Sequence, residues 1–417
     1  MEEKAINSAY LSFRSCAYRR KYETALIYCG TTLSFSELLN RVEYAYNTFC
    51  QMGVEPNDRV CLWLPNCPDL LASFYALSRL GAVGMPVHPE AGAKEVRFLM
   101  KQAGAAIMLT TAERYLRYCK TEQELPESNL VICNPEKDMK GAYRRAYFAL
   151  EKEGNEEEQQ VGYLLDNLME ENRYTAMVTP NGDAAREAVL LFGTSAFLQA
   201  KPITYLPDEL DEKCEAFWRD TDEANTVYVE NSFATEGGFL AAHGALTQGK
   251  TLIWGIGDMQ PLLEKLKPDY LIGTEEFFWN FRQNAATFGT KWSNLCGGMQ
   301  IGKPLTPLMA KFAAKAFEQV GGKGALTEAP VALKVLEEPL FFVRDYGVRL
   351  SDINDVIERL SGIARCRCVS NGGTLRMRLL PNGKEPISGL ARSITACCRR
   401  EMNPYHLPAT VEFCAKL

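Results

Sequence analysis

Residues 24–111 read TALIYCGTTLSFSELLNRVEYAYNTFCQMGVEPNDRVCLWLPNCPDLLASFYALSRLGAVGMPVHPEAGAKEVRFLMKQAGAAIMLTT, and this stretch decides the fold. Arg59 to Leu64 is a short apolar run bounded by polar residues, the pattern of a buried strand. Pro68 to Leu80 then repeats apolar residues at Leu70, Leu71, Phe74, Leu77 and Leu80, one face of a helix. Ala82 to Val87 is the next strand and Lys94 to Gln102 the next helix. Strand and helix alternating in this way predict a parallel sheet with helices on both faces. In such sheets ligands bind in the crevice at the carboxyl ends of the strands.

Working outward, the βα rhythm resumes at Ala188–Phe192 and Thr226–Glu230. Thr251–Trp254 and Tyr270–Ile272 are further strands around a helix at Met259–Leu266. Glu151 to Gln160 is acidic and nearly free of apolar groups, so it reads as a surface loop or a fraying helix end. From Phe341 the pattern changes to a small unit. A helix at Ser351–Leu360 is followed by strands at Ala364–Ser370 and Thr374–Leu380 about Asn371-Gly372-Gly373, a helix at Ser388–Arg400 and a strand near Val411. The expected class is α/β: a large N-terminal domain, 1–340, of parallel sheets covered by helices, and a small C-terminal α+β domain, 341–417.

Bulk properties narrow the field. A chain of 417 residues exceeds what one core usually holds. Its formal charge of −6 offers no whole-protein footprint for nucleic acid. The balance is uneven: from Phe341 onward there are 12 Lys/Arg against 7 Asp/Glu. A basic small domain suits a phosphate-rich ligand, and equally a solvated surface. No apolar run reaches membrane-spanning length and the N-terminus lacks a signal-peptide core. The 14 cysteines show no paired CxxC spacing, and the histidines are three: His88, His243 and His406. These features predict a cytoplasmic protein with free thiols and make a poor case for a zinc site.

Several anchors follow one another in a recognisable order. They are Leu33-Ser34-Phe35, Gly53-Val54, Asp58-Arg59-Val60, Leu64-Pro65-Asn66 and Gly81-Ala82-Val83 before Pro86. Tyr346-Gly347-Val348-Arg349-Leu350 and Asn403-Pro404-Tyr405-His406-Leu407-Pro408 extend the series. In that order they resemble the adenylate-forming superfamily of acyl-CoA synthetases, luciferases and peptide-synthetase adenylation domains. The resemblance implies a ligase that uses ATP and Mg²⁺ to activate a carboxylic acid and pass it to CoA or a carrier protein. A carboxylic acid or acyl-CoA would be the small-molecule partner, with a carrier protein or pathway enzyme as a possible protein partner.

What the resemblance implies for the site can be followed residue by residue. Thr327 and Glu328 match the family's Thr-Glu pair, Glu328 binding Mg²⁺ and Thr327 a phosphate oxygen. Cys296-Gly297-Gly298-Met299 resembles the glycine turn that lines the adenine and acyl pocket, which makes Gly297 and Gly298 cofactor-binding candidates. The phosphate loop would be Gly193 to Pro202, with Thr194 and Ser195 on phosphate in one register and Lys201 as its lysine in the other. Between them stand Ala196, Phe197 and Leu198, where the family has small residues and hydroxyls. Bulky side chains there oppose a close backbone cradle for phosphate and fit a turn kept for the fold.

The Pro-x-x-His segment near the acyl tunnel falls on Asn231 and Ala234. His243 reads as a core or surface histidine. Little chain separates Glu328 from Phe341, where the family has a β-rich subdomain with the ribose-binding aspartate, and Leu340 stands at the hinge position. The chain also stops before the family's terminal lysine segment. The expectation is therefore a synthetase-like protein impaired in catalysis that binds a carboxylate, acyl or nucleotide ligand or a pathway partner. The alternatives are an active minimal carboxylic acid–CoA or carrier-protein ligase built on Lys201, Thr327 and Glu328, and a scaffold.

Overall fold

The structure is a computed structural model. It describes residues 9–119, 125–151, 162–173, 187–192, 202–219, 221, 223–255, 260–288, 291–302, 304–330, 340–343, 346–371, 374–384, 386–401 and 408–416. Two parallel sheets form its body. The first has seven strands, in the spatial order Leu326–Glu328, Gly297–Gln300, Tyr270–Gly273, Thr226–Val229, Thr251–Trp254, Thr24–Tyr28 and Thr31–Ser34. Every neighbouring pair in it is parallel except Thr24–Tyr28 with Thr31–Ser34, a hairpin. The second sheet has five parallel strands, in the order Val83–Pro86, Arg59–Trp63, Ile107–Thr110, Leu130–Ile132 and Tyr163–Leu164.

Side-chain alternation along the strands assigns the layers. Val227, Val229, Leu252, Trp254, Leu26 and Tyr28 of the first sheet share one core with Val60, Leu62, Leu109 and Val131 of the second. Between the two sheets lies a layer of helices that includes Phe35–Gln51, Pro68–Leu80 and Glu236–Thr247. The intervening residues Tyr228, Ile253 and Leu271 point the other way, into a core closed by helices Glu275–Asn284 and Pro307–Val320. Cys61, Trp63 and Met108 do the same beneath helix Ala93–Ala103. A strand with cores on both faces must be apolar throughout, which is why these strands read as continuous runs.

The buried helices carry clear local signals. Helix Pro68–Leu80 starts with Cys67 extended at its N-cap and Pro68 in the first turn, and ends at Gly81 with φ 81°. Proline there has no N–H to lose, and glycine accepts the left-handed cap without strain. Helix Phe35–Gln51 opens on a reciprocal capping box between Ser34 and Glu37.

The C-terminal unit is α+β. Strands Ile363–Asn371 and Thr374–Pro381 are antiparallel, Thr410–Phe413 adds in parallel, and helices Leu350–Glu358 and Ile387–Glu401 belong to the same unit. Leu350, Ile353, Ile357, Met377, Leu379, Leu390 and Ile394 form its own core. The expected helix and strand positions are met to within about three residues at each end. Met259 at the start of one expected helix, the tip of the Asn371–Thr374 connection and most of the acidic stretch 151–160 are among the residues outside the described ones.

Candidate functional site

The carboxyl edge of the first sheet is where side chains of opposite character meet. At its end strand, Thr327 pairs in register with Met299 and Glu328 with Gln300. Glu328 is exposed, and its Oε2 accepts the backbone N–H of Leu305 at 2.9 Å. Thr327 is exposed as a residue, yet its hydroxyl donates to the carbonyl of Gly298 at 3.2 Å and lies 3.3 Å from the Tyr270 hydroxyl. A hydroxyl has one proton. Contact with an anion as donor would require Thr327 to leave Gly298.

Gly297 and Gly298 are therefore brought beside Thr327, but in a different form from the expected turn. They begin the buried strand Gly297–Gln300. A Cβ at Gly298 would stand 2.9 Å from the Leu271 carbonyl, so the missing side chain serves close strand packing. At the carboxyl end of that strand come Gln300, buried to 1 % exposure, then Ile301 and Gly302.

Further along the edge, Thr226–Val229 runs into Glu230 and Asn231, and Tyr270–Gly273 into Thr274. Glu230 Oε2 accepts both the backbone N–H and the hydroxyl of Thr274, at 3.0 and 2.9 Å. Thr274 in turn accepts from Phe277 N–H and caps helix Glu275–Asn284. Thr235 and Thr306 cap helices Glu236–Thr247 and Pro307–Val320 in the same way. Three helix N-termini thus begin in the connections that leave this edge, each with positive dipole end and spare N–H groups.

The connection 230–235 is pinned to the second sheet. Asn66, just beyond the strand Arg59–Trp63, donates through Nδ2 to the Asn231 carbonyl at 2.9 Å and accepts from Phe233 N–H at 2.9 Å. The connection then folds back on its own helix. A Cβ at Gly238 would stand 2.0 Å from the Ser232 carbonyl, and one at Gly237 2.6 Å from Ile301 Cγ2. Only glycine permits the first approach, and a side chain at the second would have to displace Ile301. Ala234, at the position of the histidine in the family's Pro-x-x-His segment, is buried in this connection.

Thr194, Ser195 and Lys201 lie outside the described residues, as do Ala196, Phe197 and Leu198. What is described is the antiparallel pair that leads into and out of them, Val189–Phe192 with Pro202–Tyr205, in which Phe192 faces Pro202. His243, read as a core or surface histidine, is in the core: it is fully buried, with Nδ1 2.9 Å from the Tyr75 hydroxyl. The cysteines are free thiols. No group of three or more His, Cys, Asp or Glu that could hold a metal occurs among the described residues. Nor is any helix among them long and apolar enough to cross a membrane.

Sequence reading missed Glu230, Thr274 and Gln300. Their signal was position alone, polar residues immediately after apolar strands whose carboxyl ends form the crevice.

Comparison with known proteins bears on the fold. The profile of the AMP-binding enzyme family matches residues 13–192. A crotonobetaine/carnitine–CoA ligase from Escherichia coli is 28% identical over 100 residues, 24% of this chain and 19% of the ligase. The matched stretch thus spans about a fifth of that relative's length. Among solved structures, an amide bond synthetase from Marinactinospora thermotolerans is similar at TM-score 0.73 and 12% identity, covering 98% of this chain and 96% of that one. A long-chain-fatty-acid–CoA ligase from Archaeoglobus fulgidus is similar at TM-score 0.67 and 11% identity, over 98% and 97%. At such identities the likeness is one of fold.

Proposed function

We propose that this chain, an AMP-binding-enzyme-like member of the adenylate-forming superfamily with a shortened body, binds a carboxylic acid at the carboxyl edge of its first sheet and is impaired in adenylating it. The observation that carries the reading is the spacing after Glu328. Strand Leu340–Val343 follows it after only residues 329–339, too few for the subdomain that would bring a ribose-binding carboxylate. Positioning groups of this kind act together, so losing one leaves far less than a proportional share of activity.

The residues present fit a metal–nucleotide pair only in part. Mg²⁺ is typically held by one or two carboxylates together with phosphate oxygens and water. Glu328 has one oxygen engaged by Leu305 N–H and a second that can meet such an ion. ATP with Mg²⁺ would supply activation of the acid's carboxylate. The chain's own part is to orient that carboxylate. Backbone N–H groups at the starts of helices Glu236–Thr247, Glu275–Asn284 and Pro307–Val320 favour an anion. Gly238 lets the Ser232 carbonyl fold against the start of helix Glu236–Thr247, and Gly237 lets that helix start approach Ile301. CoA, a carrier protein and a cytoplasmic location belong to the same reading.

The test is ATP–pyrophosphate exchange by the purified chain with Mg²⁺ and a panel of carboxylic acids, alongside calorimetric binding of the same acids. The expected result is acid binding with exchange at background. Robust exchange would show the alternative, an active minimal ligase acting through an acyl-adenylate, and Glu328→Gln should then abolish it.

A further inference from the structure

Asn231 is buried to 1 % exposure, and neither its Oδ1 nor its Nδ2 has a hydrogen-bond partner among the described residues. Leaving a buried amide unsatisfied costs roughly 1–3 kcal/mol on mutational scales, and native proteins contain few such groups. The backbone here is not loosely held. Asn66 bonds the Asn231 carbonyl and Phe233 N–H, Thr235 Oγ1 donates to the Ser232 carbonyl at 2.8 Å, and Ala234 N–H donates to Ser232 Oγ at 3.2 Å. A tightly bonded connection therefore presents an amide that it does not itself satisfy.

Position adds a second observation. Asn231 leaves the strand Thr226–Val229, which lies between Tyr270–Gly273 and Thr251–Trp254, so it stands at the centre of the carboxyl edge. Trp254 ends the neighbouring strand and packs edge-on against Phe233, ring centroids 6.0 Å apart. Its Nε1 is likewise buried and unpartnered among the described residues. Two unsatisfied polar groups thus stand at the ends of adjacent strands, Trp254 packed against Phe233 and Asn231 two residues before that phenylalanine.

We infer that Asn231 is a specificity-determining residue that receives a neutral hydrogen-bonding group, a hydroxyl or a carboxamide, on the acyl part of the bound carboxylic acid. The inference rests on the reading that this edge takes such an acid. An asparagine amide offers one acceptor oxygen and two N–H donors. A hydroxyl or carboxamide can meet both sides, whereas an alkyl chain meets neither and leaves the amide unpaired. A site built around a buried polar group rejects the ligand that lacks its partner. Neutrality follows from the amide's lack of charge, since an ion buried against it would be far more costly.

The experiment measures calorimetric binding of hexanoate, its ω-hydroxy counterpart and adipic acid monoamide to the full chain, to Asn231→Leu and to Asn231→Ala. Melting of the ligand-free proteins is followed in parallel. The native chain should favour the hydroxyl or amide ligand over hexanoate by roughly tenfold, the equivalent of one net hydrogen bond. Both variants should lose that preference, and Asn231→Leu should melt no lower than the native chain. Equal or tighter binding of hexanoate by the native chain overturns the inference alone, as does a preference that survives in both variants. Asn231→Ala keeps the ligand arm decisive should the larger leucine disturb folding. If the native chain binds none of the three acids, the proposed function fails and the inference with it.

Discussion

The Tyr75 hydroxyl and His243 Nδ1 lie 2.9 Å apart in the helical layer between the two sheets, joining helices 168 residues apart in sequence. Phe74 and Phe239 surround the imidazole, with Phe239 stacked on it at 5.5 Å. Burial pushes the His243 pKa down from 6.5 to about 4, opposed weakly by Asp211. A base with a depressed folded pKa binds fewer protons folded than unfolded, so stability is complete above pH 6.5 and falls as pH drops toward 4. The linkage amounts to about 2 kcal/mol lost at pH 5 relative to pH 7. Urea unfolding at the two pH values should show this difference, and His243→Gln should shrink it. An undiminished pH dependence in that variant would place the titrating group elsewhere.

Asn66 is the strut between the end of the second sheet's strand Arg59–Trp63 and the 231–233 connection of the first. Asn66→Ala removes a donor and an acceptor that both serve main-chain groups, and should cost about 2 kcal/mol in chemical unfolding. Asn66→Asp keeps the acceptor for Phe233 N–H but turns an anionic oxygen toward the Asn231 carbonyl, so at neutral pH it should cost at least as much as Asn66→Ala. An aspartate variant clearly more stable than the alanine one would show that the bond to the Asn231 carbonyl contributes little.

Glu328→Gln tests the metal role without disturbing the fold. The glutamine carbonyl can still accept from Leu305 N–H, and the side chain is exposed, so stability should change by less than about 0.5 kcal/mol. Any thermal shift produced by ATP with Mg²⁺ should disappear, because the charge that would meet the ion is gone. A shift of unchanged size would separate nucleotide binding from Glu328.

On the small domain, Arg367 and Arg378 stand directly opposite on antiparallel strands, both exposed. Like charges so placed repel. Arg367→Glu should raise the domain's stability by about 0.5 kcal/mol, an effect that fades at high salt. Melting at low and at molar salt reads it directly, and a loss of stability would show that Arg367 has a favourable role on that face.

Local signals made much of the fold legible. Pro68 and Gly81 bracket helix Pro68–Leu80 at the bounds the apolar period had given. The unbroken apolar runs at 59–63 and 251–254 already implied strands covered on both faces. The candidate site was legible only in pieces. Thr327 and Glu328 were found from motif order, but the partner that occupies the Thr327 hydroxyl is Gly298, 29 residues earlier. Gly297 and Gly298 read as a turn from their resemblance to the family's glycine turn. In the structure the Leu271 carbonyl and Phe278 ring press on Gly298 closely enough to require glycine in a strand.

The sequence by itself determined the alternation of strand and helix, the caps that end the helices, and the change of character near residue 340. Those features follow from side-chain periodicity and backbone preference, which act over a few residues. Only the tertiary structure decided that Asn66 would reach across 165 positions to hold the main chain of Asn231, and that the Asn231 amide would be buried without a partner among the described residues. Hydrogen-bond satisfaction depends on which atoms arrive from distant segments, and no local pattern records their arrival.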